Sequence, residues 1–377
     1  MPRAAGRLNG LGTTIFTEMT ALAVRTGAIN LGQGFPDTDG PPEVVAAAAA
    51  ALRAGENQYP PLPGVPALQE AVREHQRVWY GLETEEVLVS FGATEAIASA
   101  LLGLCDPGDE VVMLDPAYDS YGAAARFAGA RPRPVLLQAP AFRVTLGALE
   151  AAIGPRARVL VLNSPHNPTG RVLDRSELEL IAAACIAHDL VCITDEVYEH
   201  LVYEGEHIPI ATLPGMAGRT LTVSSVGKSF SFTGWKIGWC SGPAELVAAV
   251  RTVKQFLSFA GGTPLQHAAA AALRMGSEPL TTLRDDLRAR RDQLCAGLRA
   301  AGLDPIVPAG GYFVNADVAQ DATAFCAALP ERCGVVAIPT GAFSAEPARL
   351  RTLVRFAFCK PEPVIAQAAR RLAELRG

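Results

Sequence analysis

Apolar residues in the middle of this chain fall in short continuous runs separated by longer stretches of helical period. Strand-like runs occur at 87–90, 110–114, 134–137, 158–163, 190–194, 220–224 and 237–241, with helical patterns between most of them at about 95–104, 119–128, 145–153 and 174–188. Runs that are apolar throughout, rather than alternating, predict strands covered on both faces. Their alternation with helices predicts an α/β fold around a mostly parallel seven-stranded sheet. No helix joins the last two runs, so one of them is expected to run antiparallel. Upstream, helices are expected over 43–54, stopped by Gly55, and over 66–80, opened by Pro66. The proline-rich NQYPPLPGVP between them must be extended or turned.

After 243 the pattern turns helical. Leu280, Leu283, Leu287, Leu294 and Leu298 mark one face of a helix over 278–301, and the arginines of RDDLRARRDQ are expected on its solvated face. Short strand-like pieces at 312–315, 335–338 and 353–358 then alternate with helices. The expected division is a large unit over 43–280 and a small α+β unit over 281–377, against which residues 1–42 pack.

Composition narrows the function classes. The chain has 377 residues, 49% of them hydrophobic and 19% charged, which suits a soluble enzyme with a large interior. With a net charge of −5 and no basic patch interleaved with aromatics, nucleic acid is not an expected partner. The start, MPRAAGRLNGLGTTIF, lacks the apolar core of a secretory signal, and the alanine-rich run near 44–52 is far short of a membrane span of about 20 residues. None of the eight cysteines forms a CxxC pair, so they read as reduced core thiols in a cytoplasmic protein. The six histidines show no ligand spacing, and no metal site is expected.

The candidate chemistry centres on VSSVGKSFSFTGWKIGW, 223–239. Lys228, bordered by glycine, serine, phenylalanine and tryptophan, is poorly placed for bulk water, and burial lowers a lysine pKa. Such an amine can form a Schiff base with an aldehyde, whereas a snorkelling lysine in a surface turn would serve no chemistry. An aldehyde cofactor such as pyridoxal phosphate makes demands that other stretches meet. Asp195 ends a strand in ITDEVYEHL and can pair with a protonated ring nitrogen, or else cap a helix. Tyr198 can donate to a ring hydroxyl, and Glu196 and Glu199 are expected at the surface. In SFGATEAIA the backbone N–H groups of Ala93 and Thr94 open a helix that would favour an anion, unless Thr94 only caps it. Tyr118 in DPAYDSYG can stack on a flat ring, with Tyr121 expected as packing. Asn163 and Asn167 supply amides in LNSPHNPTG, at a strand's carboxyl end, where ligands bind in open α/β sheets. Arg355, inside the apolar LVRFAFCK, needs an anion, either a substrate carboxylate or an internal salt bridge.

Taken together, NLGQGFPD, NQYPPLPGVPAL, GATEAI, DPAYDSY, NSPHNPTG, ITDEVYEHLVY, SVGKSFSFTGWKIGW, GGYF and LVRFAFCK resemble the pyridoxal-phosphate-dependent aminotransferases of fold type I, class I/II, over nearly the whole chain. The resemblance is to the branch holding kynurenine, glutamine and methionine aminotransferases, cysteine-conjugate β-lyases and actinobacterial N-succinyldiaminopimelate aminotransferases. NQYPP and the FCAALPE run at 325–331 look most like the last. The resemblance implies that Lys228 carries pyridoxal 5′-phosphate and moves the proton. Asp195 would pair with the ring nitrogen, Tyr198 and Asn167 would bond the ring hydroxyl, and Tyr118 would stack on the ring. Ala93, Thr94, Ser225, Lys236 and Tyr59 would hold the phosphate. That tyrosine would come from the partner of a homodimer. Arg355 would clamp the substrate α-carboxylate, with Asn167 and the Gly34 backbone assisting. The implied reaction moves an amino group between an L-amino acid, such as N-succinyl-LL-2,6-diaminopimelate, and a 2-oxo acid such as 2-oxoglutarate. A β-lyase on the same scaffold, or a non-catalytic binding module, is the alternative. The Phe16 region, Tyr59 and 256–262 are expected to line the side-chain pocket.

Overall fold

In the computed structural model, which describes residues 5–376, the seven runs form one sheet in the order Glu86–Phe91, Ile237–Gly242, Thr220–Ser225, Val191–Asp195, Ala157–Asn163, Glu110–Asp115, Arg131–Leu136. Residues 1–4 and 377, at the ends of the expected small unit and of the signal-sequence reading, lie outside the described residues. Every pairing is parallel except those of Ile237–Gly242, which runs antiparallel to both neighbours. Its connection to Thr220–Ser225 holds no helix longer than the single turn Val226–Ser229, so nothing carries the chain back for a parallel crossover. The central strands are buried throughout, as their unbroken apolar runs require.

Helices cover the sheet. Arg175–Ala187 starts where Asp174 and Glu177 satisfy each other's backbone N–H groups in a capping box. Pro66–Tyr80 has proline in its first turn and ends at Gly81 in the left-handed region, φ 63°. Gly92–Leu104 begins directly at the end of the first sheet strand, three residues earlier than the periodicity suggests, because Gly92 adopts φ +73° and turns the chain at once.

A second, antiparallel sheet joins Ile338–Pro339, Leu353–Ala357, Phe313–Asp317 and Asp304–Ile306. The single strand expected over 335–338 is in fact two. Val335–Val336 pairs with Ile29–Asn30, and Ile338–Pro339 pairs with Leu353–Ala357. The first of these pairings is a separate two-stranded sheet that ties the N-terminal segment to Val335–Val336. The long helix Glu278–Ala300 buries Leu280, Leu287, Leu294 and Leu298. One of its arginines departs from the solvated face. Arg291 is buried, lies 5.1 Å from the Tyr203 ring centre, and pairs with Asp292 and Glu204 at 2.8 and 3.1 Å. Glu196 and Glu199 are also buried rather than at the surface, because the turn after Asp195 packs them beside His75, His200 and His207. All eight cysteines are free and buried. No helix among the described residues is long and apolar enough to cross a membrane.

Candidate active site

The carboxyl ends of the sheet strands open into a cavity of about 290 Å³ between the two sheets. Lys228, Asp195, Tyr198, Asn167, Tyr118 and Arg355 all line it, as do Gly34, Ala93, Thr94, Ser225 and Lys236. Among the residues expected to hold cofactor or α-carboxylate, Tyr59 alone does not. It is 77% exposed, packs edge-on to Phe259 at 5.4 Å, and lines a separate surface depression with Gly261 and Gly262. The expectation that Tyr59 and 256–262 line the pocket therefore fails within one chain, while Phe16 does line it.

Lys228 sits in a single helical turn, Val226–Ser229, directly after a buried strand. Burial lowers its pKa and nearby Lys236 adds to the effect, while Asp195 and Cys359 oppose it. Asp195 ends the adjacent strand, 5% exposed. Its Oδ2 accepts from the Tyr121 hydroxyl at 2.6 Å and its Oδ1 from the Val197 N–H at 3.3 Å. Burial pushes the carboxyl up to about 6, and the Tyr121 bond pulls it back. Tyr121 was expected as packing; it is a direct ligand of the key carboxylate. Its position three residues after Tyr118, on the same helical face, was the available signal.

Three backbone approaches shape the anion end. The N–H groups of the first turn of Gly92–Leu104 have no partner within the helix, and this end of the helix faces the cavity. Gly238 lies so close that a Cβ there would stand 2.9 Å from the Ala93 nitrogen. A Cβ on Gly92 would meet Lys236 Nζ at 3.2 Å, so the lysine lies across the helix start. Lys236 itself takes a left-handed φ of 56°, a costly conformation for a residue with a Cβ. Backbone donors, Ser225 and a lysine around one helix start suit a phosphate.

Arg355 is fully buried at the other end, with its guanidinium carbon 4.0 Å from the Phe313 ring centre and 4.3 Å from that of Phe343. Nη1 donates to Asn167 Oδ1 at 3.0 Å and Nη2 to the Gly32 carbonyl at 2.8 Å, while Nε has no partner. Burial lowers its pKa to about 10, which leaves it charged at neutral pH. The internal salt bridge considered for it is not found among the described residues, so its charge is held for something that enters the cavity. Asn167 is itself fixed by Asn163, whose Oδ1 accepts the Asn167 N–H at 2.7 Å and whose Nδ2 donates to the Asp195 carbonyl at 2.8 Å. Gly34 is glycine by necessity, since a Cβ would lie 2.3 Å from the Phe313 ring. Tyr312, present in GGYF but given no role from sequence, donates to the Gly34 carbonyl at 2.6 Å and meets the Tyr198 ring edge-on at 5.1 Å.

The donor set fits pyridoxal phosphate. A buried carboxylate with no ion pair among the described residues, a buried low-pKa lysine and a phosphate-sized cup lie in one cavity, and each lacks the partner that this cofactor would supply. One consequence is measurable without catalysis. A carboxyl whose folded pKa is raised stabilises the fold below its unfolded pKa, and that contribution is lost as pH rises through the folded value. Tyr121→Phe removes a bond to the charged form, worth about 1.5–3 kcal/mol, so the loss should extend to higher pH. Melting temperatures of cofactor-free protein from pH 4 to 8 should separate progressively from those of the unmutated chain, and parallel curves would dismiss this hydrogen bond.

Residues 26–372 match the family model described as aminotransferase class I and II. A probable N-succinyldiaminopimelate aminotransferase of Mycobacterium tuberculosis is 49% identical, with 98% of each chain covered. The methionine aminotransferase of Escherichia coli is 39% identical, covering 98% of this chain and 97% of the other. The solved structure of N-succinyldiaminopimelate aminotransferase from Mycobacterium tuberculosis superposes with a TM-score of 0.96 at 50% identity, covering 99% of this chain and all of that one.

Proposed function

The chain belongs to the class I and II aminotransferases, and within that pyridoxal-phosphate-dependent family we propose that its amino donor is an N-succinyldiaminopimelate and its acceptor 2-oxoglutarate. Fold type I and the transfer of an amino group between an amino acid and a 2-oxo acid come with that membership. The observation that carries the site assignment is the convergence of Lys228, Asp195 and an unpaired Arg355 on one cavity. The choice of donor is supported by the full-length similarity to the mycobacterial enzyme.

Pyridoxal 5′-phosphate, when bound, supplies the electron sink that lets a substrate Cα–H ionise, and it carries the amino group between the two substrates. Asp195 holds a proton on the ring nitrogen, sustained in its charged form by Tyr121 and by the ring's own positive charge. Tyr198 and Asn167 present donors to the ring hydroxyl. Tyr118 covers the ring face. The Ala93 and Thr94 N–H groups, Ser225 and Lys236 hold the phosphate. Arg355, its guanidinium aimed by Asn167 and the Gly32 carbonyl, takes the α-carboxylate through two parallel N–H groups, with the Gly34 backbone beside it. A substrate held there would have its Cα–H within reach of Lys228 Nζ, which would take that proton as a base and give it back as an acid when the amino group is transferred.

Tyr59 cannot reach this cavity from its own chain. Together with Phe256, Leu257 and Phe259, all exposed, it forms an apolar face. A second copy of the chain covering that face would bring Tyr59 to the partner's phosphate site, so the working form is a homodimer. The free, buried cysteines support a cytoplasmic location.

Among the described lining residues the only cations are Lys228, Lys236 and Arg355, while Phe16 and Phe35 form an apolar wall. This wall favours a second reading, a methionine- or kynurenine-type donor with an uncharged side chain. Initial rates with 2-oxoglutarate decide between them. N-succinyldiaminopimelate should exceed methionine and kynurenine by at least about 10-fold in kcat/KM. The reverse order would establish the second reading. Release of pyruvate and ammonia from a cysteine conjugate without an acceptor would mark a β-lyase instead.

A further inference from the structure

We propose that the chain carries a second site, outside the cofactor cavity, that binds one zinc ion through His75 Nε2, His200 Nε2 and the Glu199 carboxylate. The six histidines were expected to stay scattered, yet the fold brings three of them together with two glutamates. His75 comes from the helix Pro66–Tyr80; Glu199, His200 and His207 come from the segment after Tyr198. One ligand atom from each of His75, Glu199 and His200 lies within 4.8 Å of the other two. All three residues are buried, at 4%, 7% and 9% exposure. Two imidazoles and a carboxylate are a zinc donor set, and a water or other donor would complete a tetrahedron.

The distances fit with little movement. The two imidazole nitrogens are 2.8 Å apart and share a proton. Zn–N bonds of about 2.0–2.1 Å place tetrahedral ligands about 3.3 Å apart, so the pair must open by about half an ångström. The donating imidazole shifts to its Nδ1–H tautomer, and both then present a lone pair. Burial already holds both histidines below their ordinary pKa, His200 at about 4. Glu199 is braced as ligating carboxylates are, since its Oε1 accepts from Ser224 at 2.7 Å. Beside it, Glu196 pairs with His207 at 3.1 Å and accepts from Thr194 at 3.0 Å.

Internal hydrogen bonds do not account for the whole cluster. His207 Nδ1 is buried at its edge with no hydrogen-bond partner among the described residues, and the Tyr80 hydroxyl lies against the Glu199 carboxylate. Tyr80 stacks on the His200 ring at 6.4 Å. Both face a depression of about 210 Å³ that reaches solvent past Gly205 and Arg284, which gives an ion and its water a way in. None of these groups takes part in the amino transfer. Their place is structural. The ion would tie Pro66–Tyr80 to the turn that carries Asp195 and Tyr198.

Holoenzyme treated with EDTA and desalted is titrated with zinc chloride, and bound metal is measured after a second desalting. The expected result is one zinc per chain and a melting midpoint raised by about 3 °C at saturation. His200→Asn and His75→Gln should each weaken binding at least about 100-fold while the visible band of the lysine-bound cofactor and the turnover persist. His188→Gln and His267→Gln, remote from the cluster, should leave zinc affinity unchanged. No retained zinc overturns the proposal, and so does zinc retained equally by whichever of the two cluster variants folds.

Discussion

Lys228→Ala is expected to lose at least about 10⁴-fold in turnover while still co-purifying with loosely held pyridoxal phosphate. The size follows from two roles in one atom. In the proposed reading Nζ would anchor the cofactor and would also be the base that reaches the substrate α-carbon. Removing it leaves Asp195, Tyr198 and the phosphate cup in place, which is why cofactor binding should survive. Lys228→Arg is the informative control, because guanidinium stays protonated and cannot act as a base. It should keep the charge and lose the activity. The check is a single-turnover measurement with released cofactor quantified by fluorescence. An alanine variant within about 10-fold of normal turnover would falsify the role of Lys228.

Arg355→Ala should lower kcat/KM for amino-acid donors by about 10²-fold or more, mostly through KM. Truncating one side of a desolvated charge pair costs about 2–5 kcal/mol. Arg355 makes such a pair only when a carboxylate arrives. Its two terminal nitrogens are aimed by Asn167 and Gly32, and its faces are packed between Phe313 and Phe343. Arg355→Lys should recover only part of the loss, since a point charge cannot reproduce the two-pronged geometry. An amine substrate without an α-carboxylate should show no difference between the variant and the unmutated enzyme. An unchanged KM for amino acids would remove the assignment.

The sheet was legible because its strands are continuous apolar runs, and a period of that type has few competing readings. The cavity residues were legible because most sit at strand ends, where α/β sheets bind ligands. The failures share a different cause. Glu196, Glu199 and Arg291 carry charge, and a charged residue in a helical or turn pattern reads as solvated. Their burial depends on partners the pattern does not link to them, His75 for Glu199 and Glu204 for the arginine across long stretches of chain, and His207 for Glu196 across the following turn. Tyr121 was missed for the same reason, because its partner Asp195 lies 74 residues on. The split at 335–338 could not be read from period either, since two adjacent dipeptides pair with different strands. Tyr59 lies outside the cavity of its own chain, and only resemblance, not pattern, suggested a site in a partner for it.

The reversed strand Ile237–Gly242 has a geometric consequence for the active site. In a wholly parallel sheet, only residues that leave strands can meet at the ligand end; residues entering strands gather at the opposite edge. Turning one strand round lets Lys236, which enters its strand, face Ser225 and Ala93, which leave theirs. The register shows it directly, with Gly238 opposite Ser225 and Ile237 opposite Phe91. Run the other way, the same six-residue strand would carry Lys236 about 20 Å from the phosphate cup. It would also need a crossover helix in the connection, whereas 226–236 holds only the single helical turn Val226–Ser229 and a short 3₁₀ turn. Two lysines with opposite duties, one to react and one to hold still, can therefore be written into a single short stretch of chain.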